Sequence, residues 1–366
     1  MRLGEGLEFK PYVLLQLDEA GFAQSRSGGQ AAGLNARRQR LGGRLEVADQ
    51  VRLGAIWDFG HLPGGVGSLF EAQASYIGLK PFTVTAGVFK TDFSLESMQS
   101  AGAYLFMERA SIVTIVRNLA AGIRREGLQV QANGERYNAA LAVTAGQAGP
   151  GRDGNQRAVV GRVSGLPVKS GDLVVHAGLS GEWVVRPASD KGRSSAISLS
   201  DGTELSVDDV SPALSTGRIA ARSGGAVGPE LGLGWRRLWL QGEYYAILVN
   251  RGETEGGGAP RFDGWYAQAA YTLVGKPRAW DGTIGAWGAP KPDGWPGAVE
   301  IGARFSTANL NNGDVRGGRQ RVVSAGVNWW PMEPLRFTLM YEHATVTGGT
   351  SPRTVDAVGG RAQIQF

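Results

Sequence analysis

Arginines recur at every second or fourth position along residues 36–47, and that spacing is the first chemistry in the chain. Successive side chains of a strand point to opposite faces, so Arg38, Arg40, Arg44 and Glu46 share one face while Leu41, Leu45 and Val47 share the other. The following segment, 50–59, sets Arg52, Gly54, Ile56 and Asp58 against Val51, Leu53, Ala55, Trp57 and Phe59. Antiparallel pairing would bring Arg52 beside the same row. A guanidinium is a planar fork that stays charged and matches the paired oxygens of carboxylate or phosphate. A row of them inside a narrow low-dielectric wall would concentrate anions. Arg124, on the polar face of 119–131, extends the row. Arg37 joins it only by curling inward, because strict alternation points it to the apolar side.

Other chemistries are poorly supplied. The chain has no cysteine, which removes thiol catalysis, disulfides and cysteine-held metals. His61, His176 and His343 fall in separate segments without ligand spacing, so they read as solvated polar residues. The acids Asp201, Glu204, Asp208 and Asp209 read as a solvated loop, and Gly256, Gly257 and Gly258 lack the strand-to-helix setting of a nucleotide site. Glu71, Glu243 and Glu300 read as polar wall rather than as a glycosidase pair. The expectation is a protein that is not an enzyme, with no cofactor, no metal and no nucleic-acid partner.

The elements that must position the arginines are strands. Of 366 residues 57 are glycine, more than twice the usual share of about 7%, and they are spread through the whole length, as many turns require. No apolar run approaches the roughly 18 residues of a spanning helix, so residence in a membrane would have to be by barrel. Dyad alternation recurs to the last residue, and no complementary helices appear to cover its apolar face. Met1 leads into Glu5 without an apolar stretch, which reads as a mature chain. The fold expected is all-β: one transmembrane antiparallel β-barrel over 1–366, of about 16 strands, with apolar side chains toward lipid and lipopolysaccharide and polar ones toward a watery lumen.

Three stretches depart from the rhythm. Residues 92–117 carry Asp92, Glu96, Glu108 and Arg109 together with apolar runs that do not alternate, which predicts a third loop folded into the barrel as a constriction. Residues 186–222 are rich in serine, glycine and aspartate and read as a long extracellular loop. The connection 275–297 is a run of turns rich in proline and tryptophan. The last strand ends on Phe366 with Val358, Gly360, Ala362 and Ile364 on the same face, the pattern by which barrel-assembly machinery receives its clients.

Several stretches resemble one family. They are Ala36-Arg37-Arg38; Phe89-Lys90-Thr91-Asp92-Phe93-Ser94-Leu95-Glu96; Met107-Glu108-Arg109; Gln241-Gly242-Glu243-Tyr244; Trp265 through Gly275; and Gly326-Val327-Asn328-Trp329-Trp330. In order and spacing the chain resembles the phosphate-selective porin O and P family of bacterial outer membranes. The resemblance implies a 16-stranded homotrimeric barrel, an inward third loop and an arginine-lined path for small inorganic anions. It matches Arg37 and Arg38 to the family's paired phosphate-contacting arginines, and Asp92 to the aspartate at the mouth of the constriction. It also exposes departures. Where phosphate-specific members carry lysine and serines in the loop, this chain has Ser97, Ser100 and Ala101, and the fifth-loop arginine ladder is reduced to Arg186, Arg193, Arg218 and Arg222. The expected function is passive diffusion of small anions, phosphate among them, with weak preference. The rivals are a non-selective diffusion porin and a plugged structural barrel that anchors a surface partner.

Overall fold

The computed structural model describes all residues except 25–31, 61–66, 123–124, 149–154, 190–194, 206–211, 253–257 and 350–351. Sixteen strands form the wall. The first half comprises β1 (Leu7–Gln24), β2 (Gly33–Val47), β3 (Val51–Asp58), β4 (Ser68–Tyr76), β5 (Phe82–Phe89), β6 (Arg125–Asn133), β7 (Tyr137–Gln147) and β8 (Arg157–Ser170). The second half comprises β9 (Leu173–Arg186), β10 (Ser223–Trp235), β11 (Leu238–Asn250), β12 (Arg261–Val274), β13 (Ala298–Asn312), β14 (Val315–Met332), β15 (Leu335–Thr347) and β16 (Arg353–Gln365). Each pairs antiparallel with its sequence neighbour, and β1 pairs with β16 from Leu14↔Gln365 to Gln24↔Val355, so the sheet closes on itself. A short strand, Arg2–Gly4, adds to the start of β1.

Alternation decides which side chain goes where. Leu141, Leu231 and Leu339 expose 60% or more of their surface, while the inward neighbours Gln16, Arg38, Glu300 and Glu342 are buried. So much apolar exposure would be a liability in water, and it is what a lipid-facing wall requires. No helix among the described residues is long and apolar enough to cross a membrane. Asp18 is a buried inward residue held by Nε and a terminal nitrogen of Arg361, each at 2.6 Å, and pairing with β16 continues to Gln24.

The polar face of the wall also holds three inserted segments. In 90–122, helices α1 (Leu95–Met98) and α2 (Ser111–Leu119) interrupt an irregular chain. Ile112, Ile115, Val116 and Leu119 lie along one side of α2, the spacing of an apolar helix stripe. Wall charges hold this segment by its backbone. Arg336 of β15 donates to the carbonyls of Gly102, Tyr104 and Leu105 (3.0, 2.7 and 3.3 Å), and Arg361 of β16 to that of Met107 (2.6 Å). Across the barrel, Glu243 of β11 accepts from Ser94 Oγ and from the amides of Leu95 and Glu96, and Glu182 of β9 from those of Ala120 and Ala121. The amide groups opening α2 are met by carboxylates, Glu96 on Ala110 and Glu204 on Ser111, which suits the positive end of a helix.

The second segment, 275–297, leaves from the end of the barrel where the other turns are short. It forms a small hairpin, Trp280–Asp281 against Ala286–Trp287. Trp287 is buried beside Trp239, Trp280 and His176, and Arg162 donates to the carbonyls of Ile284 and Gly285. His176 is thus not a solvated residue: it is fully buried, with Nε2 2.9 Å from Glu230. The third segment lies within 186–222. Its described residues include two short strand pairs, Ala196–Ile197 with Ile219–Ala220 and Ser200–Asp201 with Leu214–Ser215. Glu204 reaches Arg304 of β13 at 2.6 Å, and Leu199, Leu205 and Leu214 are buried. The polar, serine-rich composition there conceals a packed segment.

Candidate functional site

A cavity of about 1350 Å³ remains between the inner face of β2–β6 and the segment 90–122. Its wall is the arginine face of the sequence, built by alternation on β2 and β3. Arg40 donates to Asp58 at 2.7 Å, and its guanidinium carbon lies 3.6 Å from the centre of the Phe70 ring. Arg52 donates to Glu46 at 2.8 Å, and Arg44 stands 3.5 Å from Glu71. Arg44 and Arg52 keep 46% and 37% of their side chains exposed, so these two reach furthest into the open space.

Arg37 and Arg38 differ from the rest of the row. Arg37 does curl inward, against alternation, because an acid is there to meet it: its Nε donates to Glu108 Oε1 at 2.8 Å. Both terminal nitrogens of Arg38 also reach the Glu108 carboxylate, at 2.9 and 2.8 Å, and Arg361 approaches it at 3.3 Å. Those cations, Arg37 and Arg38 first, hold the Glu108 carboxyl well below the usual range in spite of burial. Arg124 lies outside the described residues.

The loop side of the cavity contributes Lys90, Asp92, Ser100, Tyr104, Arg109 and Arg117. Lys90 donates to the Ser97 carbonyl at 2.6 Å, and burial lowers its affinity for a proton, with Arg117 and Arg109 adding repulsion. Asp92 is cradled by the amides of Gln129 and Gln131, at 3.2 and 2.8 Å, and burial pushes its carboxyl up. Arg109 donates to Tyr104 Oη at 2.6 Å. Arg117, in the last turn of α2, has no acidic partner within ion-pair distance among the described residues. Burial, then repulsion from Arg109, Arg40 and Arg38, holds it well below its ordinary value. Arginine does not give up its proton in a protein, so this unfavourable field persists as attraction for an anion.

Of the loop residues expected from sequence, Asp92, Ser100 and Arg109 line the cavity. Glu96, Ser97 and Glu108 do not. Glu96 is fully buried, 3.2 Å from Arg304, and its carboxyl is pushed up to about 7 by burial and by Glu243 and Glu204. Ser97 serves through its backbone, as the acceptor for Lys90. Sequence reading passed over Lys90 and Arg117 as functional side chains. Lys90 lay in plain view in the stretch that enters the loop, whereas Arg117 is legible only with a helical period, in a segment judged by its failure to alternate. Among the described residues, nine basic and five acidic side chains line the cavity.

A model of the family described as phosphate-selective porin O and P matches residues 9–366. An uncharacterized protein of Caulobacter vibrioides is 26% identical over 349 residues, which cover 87% of this chain and 67% of that protein. Among solved structures, OmpT of Vibrio cholerae in its trimer form aligns with a TM-score of 0.62 and 12% identity, over 99% of this chain and 100% of that one. An anion-selective porin from Comamonas acidovorans aligns with a TM-score of 0.60 and 12% identity, over 98% and 100%. At such identities the likeness concerns the fold. With the family match over nearly its whole length and a closed 16-strand barrel, this chain is a porin of the bacterial outer membrane and belongs to the phosphate-selective porin O and P family.

Proposed function

We propose that the protein is a channel rather than an enzyme and conducts small inorganic anions, phosphate among them, by passive diffusion through the cavity between β2–β6 and the segment 90–122. The observation that carries this reading is the charge imbalance of the lining, nine basic side chains to five acidic, with Arg117 buried and lacking an acid partner among the described residues. Arg40, Arg44 and Arg52 supply a graded row along the wall; Lys90, Arg109 and Arg117 face it from the loop. The acids Glu46, Asp58 and Glu71, each within 3.5 Å of one arginine of the row, temper the field and favour modest preference over strict selectivity.

The same reading treats 1–366 as one barrel domain, 92–117 as its constriction and 186–222 as the long loop on the cell surface, following the length asymmetry of outer-membrane barrels. It takes the assembly to be a homotrimer, on the likeness to the trimeric OmpT form, surrounded by lipid and lipopolysaccharide and delivered through the terminal Phe366. The test is the reversal potential of the refolded protein in a planar bilayer under a potassium chloride gradient, followed by phosphate titration of the chloride current. An anion-directed potential is expected. A near-zero or cation-directed one would leave a non-selective porin, and absence of conductance would favour a plugged barrel with a structural role.

A further inference from the structure

One carboxylate sits where a solute oxyanion would be expected. Two oxygens of Glu108 receive four N–H donors: Nε of Arg37, both terminal nitrogens of Arg38 and one of Arg361. Three guanidiniums converging on a single carboxylate exceed what neutralising it requires, and planar forks meeting paired oxygens are the geometry that binds phosphate or carboxylate ligands. Arg38 also donates to Gln16 Oε1 at 2.7 Å, and Arg361 to both oxygens of Asp18 and to the Met107 carbonyl. Among the described residues, three cations of the cluster face two acids. The cluster is not sealed. Arg37 and Arg38 line the cavity, and the side chains of Arg37 and Glu108 keep 24% and 14% of their surface exposed.

We propose that Glu108 is a tethered competitor for the solute: it occupies a three-arginine site that a phosphate or carboxylate anion would otherwise take, and so sets the channel's affinity for such anions low. The inference rests on the anion-channel reading. It assigns Glu108 as a specificity-determining residue and accounts for paired arginines that are present yet engaged. A multivalent oxyanion entering along Arg40, Arg44 and Arg52 meets Arg37 first, because that is the most exposed donor of the three.

The experiment is phosphate block of the chloride current through the assembled wild-type protein, Glu108→Gln and the double variant Glu108→Gln/Arg37→Gln. With the competing charge removed, the half-blocking phosphate concentration of Glu108→Gln is expected to fall at least about tenfold, the lower range of coupling seen for close charge pairs. The double variant should lose most of that gain. An unchanged half-blocking concentration in Glu108→Gln overturns the proposal. So does a gain that survives Arg37→Gln, since it would come from loosening of the loop. If Glu108→Gln fails to assemble, Glu108→Asp withdraws the carboxylate by one methylene; a partial gain supports the competitor and no gain overturns it. The wild-type reversal potential separates the two readings. A cation-directed value sinks the anion channel itself, whereas an anion-directed value with an unresponsive Glu108 variant sinks this inference alone.

Discussion

Arg117 illustrates how a buried charge becomes a functional one. It lies in the last turn of α2, where a cation complements the helix dipole, but no carboxylate stands within ion-pair distance among the described residues. Its charge is therefore available to a passing ion at moderate distance. Across about 8 Å of watery lumen, one unit charge contributes roughly 0.5 kcal/mol. Arg117→Gln is accordingly expected to lower the anion-to-cation permeability ratio about twofold, read as a shift of the reversal potential toward zero, with assembly unchanged. Arg304 is the opposite case. It lies 3.2 Å from Glu96 and 2.6 Å from Glu204, all three buried. Arg304→Met leaves two acids without their cation and is expected to cost about 3–5 kcal/mol, seen as loss of the heat-resistant folded band or a lower Tm in detergent. Two arginines of similar burial are thus separated by whether an acid faces them. That distinction is not present in the sequence, where the partners of Arg304 lie 208 and 100 residues away.

At the scale of elements, the strands were legible and the inserted segments only partly so. Period-two alternation identified the arginine face of β2, its neighbour β3 and the terminal strand, because lipid on one side and water on the other impose the period directly. Alternation carries no information about what a polar face touches. It pointed Arg37 outward and gave no hint that 275–297 would enter the barrel. Close packing fixes the position of that segment. At Gly232 of β10 a Cβ would lie 2.4 Å from the Trp287 ring. Gly232→Val should push the hairpin aside and raise single-channel conductance while the wall stays intact, as judged by unchanged far-ultraviolet circular dichroism.

The segments 90–122 and 186–222 also carry a pH dependence. Burial pushes the carboxyls of Glu96 and Asp201 up to about 7, from ordinary values of 4.5 and 3.8. Each binds its proton more tightly in the folded chain than in an unfolded one. Their contribution to stability is therefore greatest below about pH 4 and declines as pH rises toward 7. Glu108 behaves oppositely, since its depressed carboxyl adds stability that is lost only below about pH 4.5. Between pH 5 and 8 the first two groups dominate, so the thermal midpoint in detergent is expected to be lower at pH 8 than at pH 5. Glu96→Gln should flatten that slope.

For the whole molecule, the sixteen-strand wall and three inward segments make two interiors of different character. The half lined by β2–β6 stays open and basic, while against β9–β16 the space is filled with paired charges and buried apolar side chains from the insertions. If three such barrels assemble, each with its own passage, the bilayer current should close in three equal steps, and a single-step closure would argue against independent pores.

The seam between β1 and β16 also ties the wall to an insertion. Arg361, in the last strand, binds Asp18 of the first strand, the Met107 carbonyl and Glu108. One guanidinium makes both joins, so closure of the cylinder and seating of the segment 90–122 draw on the same side chain.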